Sequence, residues 1–240
     1  MKKGTKIGII VGVIVLIVLI VVGLGGYFFF NDVRQKAKIV ETFQEIEELT
    51  KTGEFDIEVL NEKTSNIVSN GKYANVERAA KNYAHDLFNK AYEIRTCLED
   101  EKMAQLLTAS NYQEDGPDFV ESKKYIAETK EKLENGKTEM LGFLEESKIN
   151  AYIEAETSDG YSVELYKQLL SEDIEMSDAE KKELETSIDK VISMLEIAEE
   201  VIDFLIENNG NWEVQGEQVL FNSNSLVIKY NSFLTKLRIL

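Results

Sequence analysis

The chain has 240 residues, and its 44 Asp and Glu outnumber its 27 Lys and Arg, which gives a net charge of −17. Three lysines precede an apolar run at residues 7–30, so residues 31–240 carry a net charge of −20. This negative field repels nucleic acids and anionic lipid surfaces and argues against a polyanion-binding function. About 210 residues suffice for one sizeable hydrophobic core or two small ones.

Residues 7–30 contain no charged side chain and are dominated by Ile, Val, Leu and Phe. As a helix the run would measure roughly 36 Å, enough to cross a bilayer's ~30 Å hydrocarbon layer. The aromatic residues 27–30 are typical of an interfacial belt and stand where a cleaved signal peptide needs small residues. We therefore predict an uncleaved transmembrane anchor. Cleavage near Gly23-Leu24-Gly25 is the alternative.

Positive charge flanks both ends of the run, so the positive-inside rule decides little. A six-residue lead is easily retained in the cytosol, and this favours residues 31–240 on the outer side of the membrane. No asparagine begins an Asn-x-Ser/Thr acceptor, which fits a bacterial plasma membrane better than a glycosylated secretory route. Gly4, Gly8 and Gly12 recur every four residues, a spacing that lets two membrane helices approach closely as a homodimer.

The chain beyond the anchor has a helical pattern, and its single proline, Pro117, leaves few helix breakers. Apolar spacing predicts helices at 31–49, 56–69 and 73–109, ended by Gly53 and by Asn70-Gly71. The third is the longest and has a continuous stripe that keeps one face against a partner helix. Its members are Tyr73, Val76, Ala80, Tyr83, Leu87, Ala91, Ile94 and Leu98.

A turn at Asp115-Gly116-Pro117 is predicted to open the next helix, with the proline at an early helical position. The contact face then repeats every seven residues, with mostly small residues at its second set of positions, which indicates a close-packed seam. The two sets are Phe119, Ile126, Leu133 and Met140, and Ser122, Thr129, Gly136 and Phe143. Residues 150–156 are expected to prolong the bundle until Ser158-Asp159-Gly160 breaks it.

Residues 161–172 are predicted to form a short helix with Leu165 and Leu169 facing inward. Ser177-Asp178-Ala179-Glu180 matches a capping box, in which two side chains satisfy orphan backbone N–H groups at a helix start. The helix behind it has the clearest apolar stripe of the chain and ends at Asn208-Asn209-Gly210. The stripe consists of Leu184, Ile188, Val191, Leu195, Ala198, Ile202 and Leu205.

The apolar period then changes to two, with Trp212, Val214, Val219 and Phe221 around a Gln215-Gly216 turn, which predicts a β-hairpin. Asn222 or Ser223 is expected to cap a last helix. Its apolar face is Leu226, Tyr230, Phe233 or Leu234, and Leu237.

The predicted fold is mainly α. It comprises a cytosolic lead at 1–6, a transmembrane helix at 7–30, an antiparallel long-helix bundle at 31–210 and a hairpin–helix cap at 211–240.

Catalytic and metal-binding chemistry finds little support in the residue types. His85 and Cys97 are the only histidine and cysteine, too few for a tetrahedral zinc site, and twelve helical residues separate them by roughly 18 Å. We expect His85 to share a local hydrogen bond and Cys97 to be a small buried helix residue. Residues 111–116 imitate half of a calcium-binding loop, but Ser122 stands where the bidentate glutamate is needed. No catalytic residue, metal or cofactor is predicted.

The numerous tyrosines either pack as core with their hydroxyls at the edge or grip a peptide or glycan in a groove. Core packing is favoured, and sequence leaves both cases open for individual residues. The candidate contacts are Tyr83, Tyr92, Tyr152, Tyr161 and Trp212.

We therefore expect a non-enzymatic, membrane-anchored interaction or structural module of a bacterial envelope, whose partners are the lipid bilayer and another envelope protein. The alternative is a ligand-binding or sensory helical ectodomain with a tyrosine-lined pocket between helices.

Overall fold

The computed structural model describes residues 39, 41–46, 49, 56–170 and 178–240, and these are mainly helical. Residues 41–46 are helical. The elements that follow are α1 (Ile57–Ser65), α2 (Lys72–Glu99), α3 (Glu101–Gln105), α4 (Ala109–Glu114), α5 (Val120–Phe143), α6 (Glu146–Glu156), α7 (Gly160–Leu170), α8 (Asp178–Glu207), β1 (Trp212–Gln215), β2 (Gln218–Phe221) and α9 (Asn224–Ile239).

None of the helices in these ranges is long and apolar enough to span a membrane. The predicted anchor at 7–30, its alternative cleavage site and the Gly4, Gly8 and Gly12 seam lie outside the described residues. The same holds for Gly53, Ser177 and the side chains of Leu169 and Glu180, so the capping box stays a prediction.

The chain divides into two compact units whose boundaries fall inside α2, α5 and α8. Within the described ranges, unit 1 comprises residues 96–135 and 186–240. Unit 2 comprises residues 39, 41–46, 49, 56–95, 136–170 and 178–185.

Unit 2 is built on an antiparallel contact between α2 and α5. Tyr83 Oη donates a hydrogen bond of 3.0 Å to the Phe143 carbonyl. Lys90 lies later in α2 than Tyr83, but it pairs at 2.7 Å with Glu139, which lies earlier in α5 than Phe143. Further along α2, Ile94 lies against Gly136, where a Cβ would come within 2.9 Å of Ile94 Cγ1. The small residue at this seam position is therefore needed for the close approach.

In unit 1, α5 and α8 also run antiparallel. Lys123 pairs with Asp203 at 2.7 Å, and Lys130, seven residues on, pairs with the earlier Glu199 at 3.3 Å. The apolar faces between these ion pairs are buried. The helical-bundle prediction is thus confirmed.

The predicted apolar stripes of α2, α5 and α8 are confirmed, because all of their positions are buried, including the eight of α2 from Tyr73 to Leu98. This holds for the seven stripe residues of α8 and for both seam sets of the fifth helix, including the small residues Ser122, Thr129 and Gly136. The predicted hairpin is confirmed too: β1 and β2 are antiparallel, Trp212 pairs with Phe221 and Gln215 pairs with Gln218. Ser223 is the residue that caps α9, through a bond to the Leu226 N–H.

Two predicted helices end earlier than expected. The helix predicted at 73–109 ends at Glu99 because Asp100 caps α3 through the Lys102 N–H and Thr108 caps α4 through the Asn111 N–H. These side chains offer the backbone an alternative to a continuous helix. The helix predicted at 56–69 ends at Ser65, since the backbone beyond it is bound by buried side chains of α2.

The Pro117 prediction is wrong, because the proline precedes the helix instead of lying in its first turn. The Gly116–Pro117 peptide is cis, Phe119 has a φ of 51°, and α5 begins at Val120. The start of α5 is capped by Asp115, whose carboxylate accepts the N–H groups of Glu121 (3.1 Å) and Ser122 (2.7 Å). These bonds outweigh burial and lower the pKa of Asp115.

Candidate functional site

Tyr83 and Tyr152, two of the predicted contact residues, lie in unit 2 and pack against each other edge to face, with ring centroids 5.5 Å apart. Tyr83 is fully buried with its hydroxyl on the Phe143 carbonyl, and burial raises its pKa. Tyr152 is half-buried and donates to Asp86 at 2.6 Å. Tyr83 therefore packs as core with its hydroxyl buried on a backbone carbonyl, and Tyr152 packs against it with its hydroxyl at a polar edge.

Tyr161 and Tyr92 are the more exposed candidates of unit 2. Tyr161 is 46% exposed, its ring carries the Lys72 ammonium 3.7 Å from the centroid, and its hydroxyl is 3.4 Å from that of Tyr73. Tyr92 is 36% exposed. The Lys72–Tyr161 contact is a cation–π interaction between the first turns of α2 and α7.

Trp212 belongs to unit 1, whereas the other four predicted contact residues belong to unit 2. Its Nε1 donates to the Leu205 carbonyl at 2.8 Å, and its ring packs against Phe119 and Tyr112 at 6.0 and 6.3 Å. The indole thus anchors the hairpin to the end of α8. Tyr112 in turn shares a 3.2 Å hydroxyl contact with Tyr230 of α9.

His85 and Cys97, the only histidine and cysteine, do not form a catalytic pair or a metal site in the described ranges. His85 is half-buried, with Nδ1 3.3 Å from the Thr64 hydroxyl of α1, so its predicted hydrogen bond reaches a second helix. Cys97 is only partly buried, and the expectation of a buried thiol was wrong. The described ranges contain no group of three or more His, Cys, Asp or Glu residues arranged to hold a metal ion.

A fully buried ion pair in unit 2 was missed by sequence reasoning. Lys81 Nζ lies 2.6 Å from Glu77 Oε1 and donates to the Asn66 carbonyl. Glu77 also accepts from the N–H groups of Val68 and Ser69 and from the Ser69 hydroxyl. Burial disfavours the charged carboxylate, but these donors outweigh it and lower the pKa of Glu77. The pair holds the extended segment after α1 against α2.

A groove with a cavity volume of about 310 Å³ opens in unit 1. It lies among the last turn of α2, α3, the α3–α4 connection, α8 and α9. Eleven of its fourteen lining residues are apolar, and the polar ones are Thr108, Tyr230 and Arg238. The volume stands at the lower end of the range typical of small-molecule sites.

Two of the three polar groups in the groove are already engaged. The Thr108 hydroxyl donates to the Gln105 carbonyl at 2.8 Å and caps α4, and the Tyr230 hydroxyl meets Tyr112. Arg238 is exposed and makes no ion pair with the part of the chain that the structure describes. Its guanidinium is therefore the group at the groove with hydrogen-bonding capacity to spare.

Three residues of the apolar face predicted for the last helix line this groove, namely Tyr230, Leu234 and Leu237. The part of the groove formed by α3 and Thr108 was not predicted, because one continuous helix was predicted over residues 73–109. The caps Asp100 and Thr108 were the available signal.

The opposite face of α9 is exposed and uncharged. Ile228 and Ile239 are 63% and 80% exposed, and eleven helical residues place them about 20° apart around the axis. Ser232 and Thr235 lie between them and are exposed as well. We define the outer stripe as Ile228, Ser232, Thr235 and Ile239. Lys229 and Lys236 lie along one side of it, and Lys236 is paired with Glu200 at 2.6 Å.

No protein family, curated protein or solved structure compared with this chain matches it. The class that the fold defines is a mainly helical bundle with a small antiparallel hairpin followed by a terminal helix.

Proposed function

We propose that the protein is a non-enzymatic, single-pass membrane-anchored interaction module of a bacterial envelope, with residues 31–240 outside the cytoplasm. The tether is the uncharged run at 7–30. The observation that carries the interaction role is the outer stripe of α9, which leaves two isoleucines exposed on one helix face.

Charge specifies the chemistry of the partner. α9 contains Lys229, Lys236 and Arg238 and no acidic residue, in a chain whose net charge is −17. Exposed apolar residues rimmed by one sign of charge are typical of a protein-binding surface. The occupant of the outer stripe is therefore another envelope protein that presents an apolar surface beside acidic side chains.

Photocrosslinking in native membranes tests this surface. A benzoylphenylalanine at Ile228 is expected to give one discrete protein adduct, and Lys229→Glu should reduce its yield because it reverses a flanking charge. The matched control is the same probe at Val120, another aliphatic residue of unit 1 that is 64% exposed. Equal adducts at both positions, or an adduct indifferent to Lys229→Glu, would contradict the proposed surface.

Membrane topology is tested separately by thiol labelling of intact cells, with Cys97 replaced by alanine. Glu217→Cys, in the exposed hairpin turn, is expected to react with a membrane-impermeant maleimide. Lys3→Cys in the lead should react only after lysis. The reverse pattern would place the bundle inside. Gly116 is unsuitable for labelling because a Cβ there would meet the Tyr112 carbonyl oxygen at 2.4 Å.

A second candidate function, a ligand-binding ectodomain, is favoured by the groove of unit 1. Its lining is mainly aliphatic and contains one tyrosine, Tyr230, whereas the expected pocket was lined by several tyrosines.

A further inference from the structure

We infer that the groove of unit 1 binds a single-chain amphiphilic anion, an acyl chain that ends in a carboxylate. The inference rests on the proposed function in its second, ligand-binding form and names the ligand. The acyl chain of the ligand lies against the aliphatic walls of the groove, and its carboxylate binds Arg238.

The size of the groove limits its occupant. At the ~30 Å³ that one water molecule takes in the liquid, a cavity volume of about 310 Å³ accommodates at least about ten groups of methylene size. A partner helix needs anchors at i, i+3, i+4 and i+7 along an extended groove, and a stable protein interface buries at least about 1,200 Å². A medium-length acyl chain fits this volume, and a helix does not.

The lining chemistry defines the two ends of the ligand. Met103 and Leu107 on one side and Leu195 and Leu234 on the other offer no hydrogen bond, so the inserted part must be apolar. Arg238 is the charged residue of the lining, and its planar guanidinium matches a carboxylate in a bidentate manner. A cationic headgroup would be repelled by the guanidinium, and a neutral one could accept its hydrogen bonds but would leave its charge without a counter-ion.

The experiment uses the full chain in nanodiscs of neutral lipid and a decanoate that carries a diazirine. We expect photolabelling on the peptides containing Met103, Leu107 and Leu234, with competition by unlabelled decanoate. Octanoate should compete about 15-fold less well, since each buried methylene contributes about fourfold in affinity. Labelling spread over the exposed surface without competition would overturn the inference.

Matched variants separate the groove from the headgroup. Ala104→Trp fills the groove mouth from an exposed position and should abolish groove labelling, whereas Ala155→Trp, also exposed, should not. Arg238→Gln should weaken decanoate binding about two- to fivefold, the range of exposed ion pairs. Lys229→Gln removes the same charge from the same helix away from the groove and should have no effect.

A diazirine-bearing decanol tests the charge of the ligand. Its labelling should be the same in Arg238→Gln and in the original chain, and an equal loss for decanol and decanoate would overturn the anionic headgroup. Unchanged labelling of Ala104→Trp would overturn the groove itself. If Ile228 still crosslinks its partner in either case, the interaction function stands and only the ligand is lost; failure of both would refute both.

Discussion

Replacing Lys81 by methionine tests whether the buried ion pair determines the stability of unit 2. The substitution keeps the aliphatic stem and a good helix former but removes the ammonium that contacts Glu77 at 2.6 Å and the Asn66 carbonyl. Breaking a buried pair by removing one partner costs about 3–5 kcal/mol, because the other charge stays buried. Glu77 keeps three donors from Val68 and Ser69, so we expect the lower end, about 3 kcal/mol.

The control is Lys123→Met, which breaks the exposed 2.7 Å pair with Asp203. Exposed pairs contribute at most about 1 kcal/mol, so this variant should unfold nearly like the original chain. Urea unfolding of the full chain in micelles, followed by circular dichroism, gives the loss. Amide exchange supplies the local readout, since the Val68 and Ser69 N–H groups should lose protection in Lys81→Met. Equal unfolding of the two variants would refute the reasoning.

Three further predictions concern the packed helices. The pKa of Glu77 is lowered on folding from its ordinary 4.5, so its contribution to stability is complete above that value and is lost as the pH falls through the folded pKa. Urea unfolding measured at a series of pH values should show this loss of stability. In Glu77→Gln the same pH dependence should be absent. Gly136→Ala should lower the free energy of unfolding by about 1 kcal/mol through overpacking against Ile94, whereas Gly142→Ala, with open space around its Cβ, should raise it by about 0.5–1 kcal/mol. If both glycine variants shift stability in the same direction, the seam is not tight. Leu195→Asp puts a charge into the buried stripe of α8 and should cost several kcal/mol; an unchanged thermal melt would contradict that burial.

The helix-packing faces were predictable because they depend on periodicity, which is local. Ile126 and Leu133 are spaced seven apart, and Leu184 and Ile188 four apart, and a helix of either spacing presents them on one side. The hairpin was predictable for the same reason, with its period of two and its glycine turn at Gly216. All of these positions behave as the patterns indicate.

The buried ion pair and the groove depend on contacts that no local pattern contains. Glu77 and Lys81 are spaced like an exposed i, i+4 pair, but the segment after α1 binds both of them and they are fully buried. Arg238 lines a groove because α9 packs beside α3 and α8, and its sequence neighbours resemble any amphipathic helix end. Tertiary packing thus decides which charged residues matter.

If the outer stripe binds a partner as proposed, the charge distribution of the chain contributes to its selectivity. A net charge of −17 repels most acidic neighbours at distances up to a Debye length, about 8–10 Å at physiological ionic strength. Lys229 reverses the sign locally beside the outer stripe, whereas Lys236 is paired with Glu200 at 2.6 Å. An acidic contact surface is therefore attracted beside Lys229 and repelled at most other orientations. Such an arrangement combines an attractive face with repulsion of wrong orientations, which is how specificity is commonly achieved. Because salt screens both effects, the penalty of Lys229→Glu on crosslinking from Ile228 should shrink as ionic strength rises; a penalty independent of salt would mean that the contact is apolar and that its charges contribute little.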